Sequence, residues 1–108
     1  MKYLKSINEL LDSKEIERQL EIELEDDYLD NIIEYILVGT SSTGYWVELN
    51  IKIPNDLTFS KAIYLDYLIN QLLKSKMEKF CRKYNYELLS IKPAATGNNQ
   101  IHAQIRTN

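Results

Sequence analysis

Leu20-Glu21-Ile22-Glu23-Leu24-Glu25-Asp26-Asp27-Tyr28-Leu29-Asp30 is the stretch on which the fold turns, because it can be read with two periods. Leu20, Ile22 and Leu24 alternate with Glu21, Glu23 and Glu25, the two-residue period of a strand with one apolar and one solvated face. Ile16, Leu20, Leu24, Tyr28 and Ile32 also recur every four residues, which suits a helix. As a helix, the segment stacks like charges at Glu17/Glu21, Glu21/Glu25, Glu23/Asp27, Asp26/Asp30 and Asp30/Glu34. Each such pair costs about 0.2–0.5 kcal/mol, with no lysine among them for relief. As a strand, it can set its glutamates opposite Lys52 or Lys92 of a neighbouring strand. The electrostatic balance favours a strand over residues 20–25.

Upstream, Leu4, Ile7, Leu10 and Leu11 recur at helical spacing, and Ser6 with Glu9 forms a capping box, so residues 3–19 read as a helix. Asp12-Ser13 offers a second cap, which would divide it. Downstream, residues 32–38 are β-branched and aromatic and read as a buried strand. Residues 45–53 alternate: Tyr45, Val47, Leu49, Ile51 and Ile53 on one face, Trp46, Glu48, Asn50 and Lys52 on the other. The segment from Gly39 to Gly44 joins these strands as a hairpin loop, and Pro54-Asn55-Asp56 ends the second of them.

A long helix follows over about residues 58–84, capped by Thr58 or Ser60. Its core stripe is read as Phe59, Ala62, Ile63, Ile69, Leu73, Met77, Phe80, Cys81 and Tyr84. Lys79, Arg82 and Lys83 complement the dipole at its end, and Asn85 suits a left-handed cap. Residues 86–92 and 100–107 complete the chain as two strands. The expectation is a single α+β domain: an N-terminal helix, then an antiparallel sheet of about four to five strands with the long helix packed across one face.

The 108 residues carry 44% hydrophobic and 27% charged residues, ordinary for a globular protein. No apolar run approaches the length of a membrane span, and the N-terminus lacks a secretory signal's apolar stretch. The single cysteine, Cys81, excludes an internal disulfide framework. These features place the chain in the cytoplasm, without a membrane partner. Ten lysines against three arginines, with abundant Ile and Asn, point to an A/T-rich genome.

The charge is unevenly distributed. Residues 15–34 hold nine acids and one base, Arg18, whereas residues 35–108 hold nine bases and five acids. Such a field governs association. Glu21, Glu23, Glu25, Asp26, Asp27 and Asp30 are therefore the candidate partner-binding residues. Tyr64, Leu68 and Leu72 form a second apolar stripe on the long helix, a candidate cover for the N-terminal helix or an interface between two copies.

No catalytic or metal constellation emerges. The Gly39–Gly44 spacing lacks the Lys and Ser/Thr that a phosphate-binding loop needs, and a strand follows it. His102 shares a strand face with Gln100, Gln104 and Arg106 but has no nucleophile or paired carboxylate. Asp26, Asp27 and Asp30 lack the alternation and the glycine of a calcium loop. Cys81 sits on the apolar stripe and reads as a core residue. No cofactor is expected.

The expected function is a non-enzymatic, protein-binding inhibitor or adaptor. Its carboxylates would occupy the cationic site of a nucleic-acid-binding protein. In size, composition and want of catalytic residues, the chain is similar in type to small acidic phage proteins that block nucleic-acid enzymes, anti-CRISPR proteins among them; that resemblance implies a source in a phage or mobile element. The alternative is a small nucleic-acid-binding domain using Lys76, Lys79, Arg82, Lys83, His102 and Arg106, with Tyr45 and Trp46 for stacking. A pI near 5.1 argues against it. The order helix, three strands, helix suggests a double-stranded-RNA-binding domain, but the basic cluster lies at the wrong end of the last helix and an extra hairpin follows.

Overall fold

The computed structural model describes residues 2–95 and 99–107, with side chains from Ser13 onward. In chain order the elements are α1 (Lys2–Glu23), α2 (Asp27–Ile32), β1 (Ile33–Thr40), β2 (Gly44–Ile51), α3 (Lys61–Leu68), α4 (Lys74–Lys83), β3 (Glu87–Pro93) and β4 (Gln100–Arg106). A single π-helical turn, Ile69–Leu73, joins α3 to α4. The strands form one antiparallel sheet in the order β1-β2-β4-β3. The class is α+β, as the sequence predicts.

The deciding stretch is helical where a strand was expected. α1 runs unbroken past Asp12-Ser13 and through Glu23. The expected Leu4, Ile7, Leu10 and Leu11 face and the Ser6/Glu9 box involve side chains outside the described residues. The four-residue stripe wins: Ile16, Leu20 and Leu24 are buried, Leu20 completely. Burying one such side chain is worth about 1.5–3 kcal/mol, several times the cost of a like-charge pair on a helix. Ile22, which only the strand reading needed inside, is 58% exposed. Beyond α1 the chain turns at Asp26, which caps α2 by accepting from Tyr28 N–H and Leu29 N–H.

β2 shows the expected alternation. Tyr45, Val47, Leu49 and Ile51 are buried beneath the helices, while Trp46, Glu48 and Asn50 point the other way. On β4, Ile101, Ala103 and Ile105 complete the inner face. α1 lies against β1, α3 and α4 against β3, and α1 touches α4. The helices therefore form one layer, and the other face of the sheet is open.

The long helix begins later than expected, at Lys61, with Ser60 accepting from Ile63 N–H. Its apolar stripe also differs. Tyr64, Leu65, Leu68 and Ile69 are buried, whereas Ala62 is exposed and Phe59 and Ile63 are 47% and 58% exposed. The π turn, marked by the bond from Lys74 N–H to Ile69 O, accommodates an extra residue. It displaces the stripe on its N-terminal side relative to Leu73, Met77, Phe80 and Cys81. At the other end, Asn85 has φ 59°. Asn85 N–H bonds to Arg82 O and Tyr86 N–H to Cys81 O, a Schellman closure.

Candidate partner-binding surface

The acids between Glu15 and Glu34 are put to different uses. Glu15 accepts from Arg18 and Gln19, and these bonds hold its carboxyl below the usual glutamate range. Glu17 pairs with Lys14 at 3.4 Å. Glu23 is only 14% exposed and lies 3.8 Å from Lys83 Nζ, linking α1 to α4. That separation exceeds a hydrogen bond, and Glu23 Oε1 is buried without another partner. Asp26 is spent on the cap of α2. Glu34 accepts from Asn50 Nδ2 at 2.7 Å.

Glu21, Glu25, Asp27 and Asp30 are exposed, and none forms an ion pair with a cation among the described residues. They span the end of α1, the turn and α2. Of the six acids singled out from sequence, these four carry uncompensated charge, while Glu23 and Asp26 serve the fold. Glu21 and Asp30 also meet at a cleft of about 270 Å³, lined in addition by Leu24, Ile33, Glu34, Tyr35 and Ile36. Sequence reasoning missed this cleft, which depends on α1 and α2 flanking the outermost strand of the sheet.

The stripe Tyr64, Leu68 and Leu72 does not form an outer interface. Tyr64 and Leu68 are buried within the chain, and only Leu72 is partly exposed. The Tyr64 hydroxyl bonds to that of Tyr28 on α2 at 2.8 Å, and burial with this bond raises its pKa. The apolar side chains exposed along this part of the helix are instead Phe59, Ile63 and Tyr67.

The residues of a nucleic-acid site are divided. His102 and Arg106 project from the open face of the sheet, while α4, with Lys79 and Arg82, lies on the helical side. Tyr45 is 6% exposed and unavailable for stacking. On the open face, Tyr35, Leu37 and Trp46 are exposed, with Trp46 lying flat over Gly39, where a Cβ would overlap its ring. Arg106 there pairs with Glu87 and His102 Nε2 lies 3.5 Å from Glu48, while Lys92, opposite His102 in the ladder, is exposed and forms no ion pair among the described residues. Tyr35 donates to Glu48 at 3.3 Å and accepts from Gln100 at 3.2 Å.

Cys81 is buried, and burial, with Glu78 adding to it, pushes its thiol up to about 11, away from nucleophilic use near neutrality. Among the described residues, no three His, Cys, Asp or Glu side chains are grouped to hold a metal ion, and no helix is long and apolar enough to cross a membrane. Comparison with protein-family models, curated proteins and solved structures gives no match to this chain.

Proposed function

We propose that the chain is a non-enzymatic protein-binding inhibitor or adaptor whose acidic surface occupies the cationic nucleic-acid-binding site of a partner protein. The observation that carries this reading is the set of four exposed carboxylates, Glu21, Glu25, Asp27 and Asp30, on adjoining helices, without an ion pair among the described residues. Their mutual repulsion contributes nothing to the fold, and a partner rich in lysine or arginine would relieve it. A cationic surface responds to charge and spacing, so carboxylates on a rigid helical frame can compete with phosphates.

The test combines Glu21→Lys, Glu25→Lys and Asp30→Lys in one variant. Immobilised parent chain is expected to retain a protein from nuclease-treated lysate of its own source, and added duplex DNA or RNA is expected to displace it. The folded variant should retain none of it. Equal retention by the variant, or indifference to nucleic acid, would sink the proposal.

The open sheet face supports a second reading, direct binding of single-stranded nucleic acid by stacking on Tyr35 and Trp46. The chain's net charge of -3 and the pairing of Arg106 with Glu87 rank it below the first. Quenching of Trp46, the only tryptophan, by an oligonucleotide at low salt would reverse that ranking.

A further inference from the structure

We infer that the free edge of β1 takes up an extended, cationic peptide segment of the partner as an added strand, with the segment's lysine or arginine entering the cleft lined by Glu21, Asp30 and Glu34. This rests on the reading of the acidic surface as the partner site and states the form the partner must present.

The first observation concerns the backbone. The β1–β2 hairpin closes with Ser41 N–H on Gly44 O, and Gly39, Leu37 and Tyr35 lie opposite Trp46, Glu48 and Asn50. Counting back from the turn by twos, these are the hydrogen-bonded pairs of the ladder. On the far side of β2 the alternation agrees: Ile51 N–H bonds to Asn99 O, and Thr107 N–H to Thr43 O. The N–H and C=O groups of Ile36, Val38 and Thr40 therefore face away from β2. No backbone or side-chain group among the described residues meets them.

The second observation is the cleft. Ile33, Glu34, Tyr35 and Ile36 of β1 contribute one side of it, and Glu21, Leu24 and Asp30 the other. The cleft thus adjoins the start of the run of free backbone groups, with Ile36 common to both. Three carboxylates line it and no lysine or arginine does. Its volume of about 270 Å³ has room for a long side chain with an apolar stem, which Leu24 and Ile33 would meet while the carboxylates took the charge. An added strand supplies main-chain bonds for affinity and side-chain pockets for specificity.

Charge decides between this occupant and a second copy. The residues of β1 include one charged side chain, Glu34. In two copies paired edge to edge, neither β1 would bring a cation to the other's cleft, whereas a basic segment answers the carboxylates directly.

The probe is a fluorescent eight-residue peptide of alternating lysine and threonine, added at low salt to the full chain. Anisotropy should show saturable binding, and amide exchange should show new protection at Ile36, Val38 and Thr40. Val38→Pro removes an outward N–H without touching the ladder to β2. It should weaken binding at least tenfold while the circular dichroism spectrum is retained, and N-methylation of alternate peptide amides should do the same. Glu21→Lys with Asp30→Lys should also weaken binding at least tenfold. Absence of saturable binding would overturn the inference. Binding indifferent to Val38→Pro and without new amide protection would overturn it while leaving the acidic reading intact. Protection of the same amides in a dimer without peptide would overturn it in favour of a second copy.

Discussion

The two edges of the sheet are built differently. β3 carries Lys92 and ends at Pro93, and its register shifts between Leu88 and Ser90, turning Leu89 outward. α3 and α4 pack against it. Its start is clamped by a run of rings: Phe80 against Tyr84 at 4.9 Å, Tyr84 stacked on Tyr86 at 5.7 Å, and Tyr86 near Tyr45 at 6.0 Å. Bulges, lysine and proline are devices that stop an edge from recruiting another strand. β1 has neither lysine nor proline, its register is regular from Tyr35 to Thr40, and its irregularity is confined to Ile33–Tyr35. Helices pack against both outer strands, α3 and α4 on β3 and α1 and α2 on β1, so what distinguishes the two edges is the lysine, proline and bulge of β3 against the regular run and the cleft of β1.

The comparison breaks most severely at Phe80. It is 1% exposed and begins the ring run, so Phe80→Ala removes packing from α4 and the β3 side together. The expected loss is about 3–5 kcal/mol in urea unfolding. Amide protection should fall at β3 before β1. Equal loss at the two edges would show that the ring run does not preferentially hold β3.

Next in size is a pair of prolines on β1. Leu37→Pro deletes an N–H that bonds to Glu48 across the ladder and should cost about 3 kcal/mol or more. Val38→Pro acts on the outward side, where an edge strand tolerates proline, and should cost less than Leu37→Pro, losing part of the packing of Val38 but no ladder bond. Thermal melts of the two variants check the assignment of the free edge, and a reversed order would refute it.

A smaller contrast uses two glycines of the β1–β2 hairpin. A Cβ on Gly44 would overlap the backbone carbonyl of Ile105, so Gly44→Ala must shift β2 against β4. The atoms nearest a Cβ on Gly39 belong to the exposed ring of Trp46, which can swing aside. Gly44→Ala should be the more destabilising, by about 1–3 kcal/mol, the usual cost of overpacking. Gly39→Ala should instead red-shift Trp46 fluorescence with little change in the melt.

Much of this architecture was legible in the sequence because local signals and tertiary packing agree there. The alternation of Tyr45 to Ile51, the cap at Ser60 and the left-handed Asn85 each follow from one residue type in one place. The stretch from Leu20 to Glu25 was not, because both periods place Leu20 and Leu24 on the same face and only Ile22 separates them. Charge repulsion argued for the strand, but at about 0.2–0.5 kcal/mol per pair it is too small to decide between two periods that bury nearly the same side chains. The π turn at Ile69–Leu73 has no sequence signature, and its extra residue reassigns Tyr64 and Leu68 to the core and Phe59 and Ile63 to the surface. The candidate site was legible as charge and not as geometry. Which acids are paired depends on α1 meeting α4, and the cleft depends on β1 being outermost, since it pairs only with β2.

Asp26 supplies the smallest test and separates the two roles an acid can have on the β1 side. A signal for it was present: an aspartate two residues before Tyr28-Leu29, the first apolar pair of α2. Its side chain accepts from two otherwise unpaired N–H groups, at 2.9 Å and 3.2 Å. Asp26→Ala leaves them without that partner and should cost about 1 kcal/mol, the usual value of an N-cap. Asp26→Asn keeps the acceptor oxygen and removes the charge, so it should restore most of that stability. If Asp26 serves only the cap, Asp26→Asn should bind the lysine–threonine peptide as the parent does, whereas Asp30→Lys should not. Amide exchange at Tyr28 and Leu29 reads the cap directly. A stable Asp26→Asn variant with weakened peptide binding would place Asp26 among the recognition residues and enlarge the acidic surface beside β1.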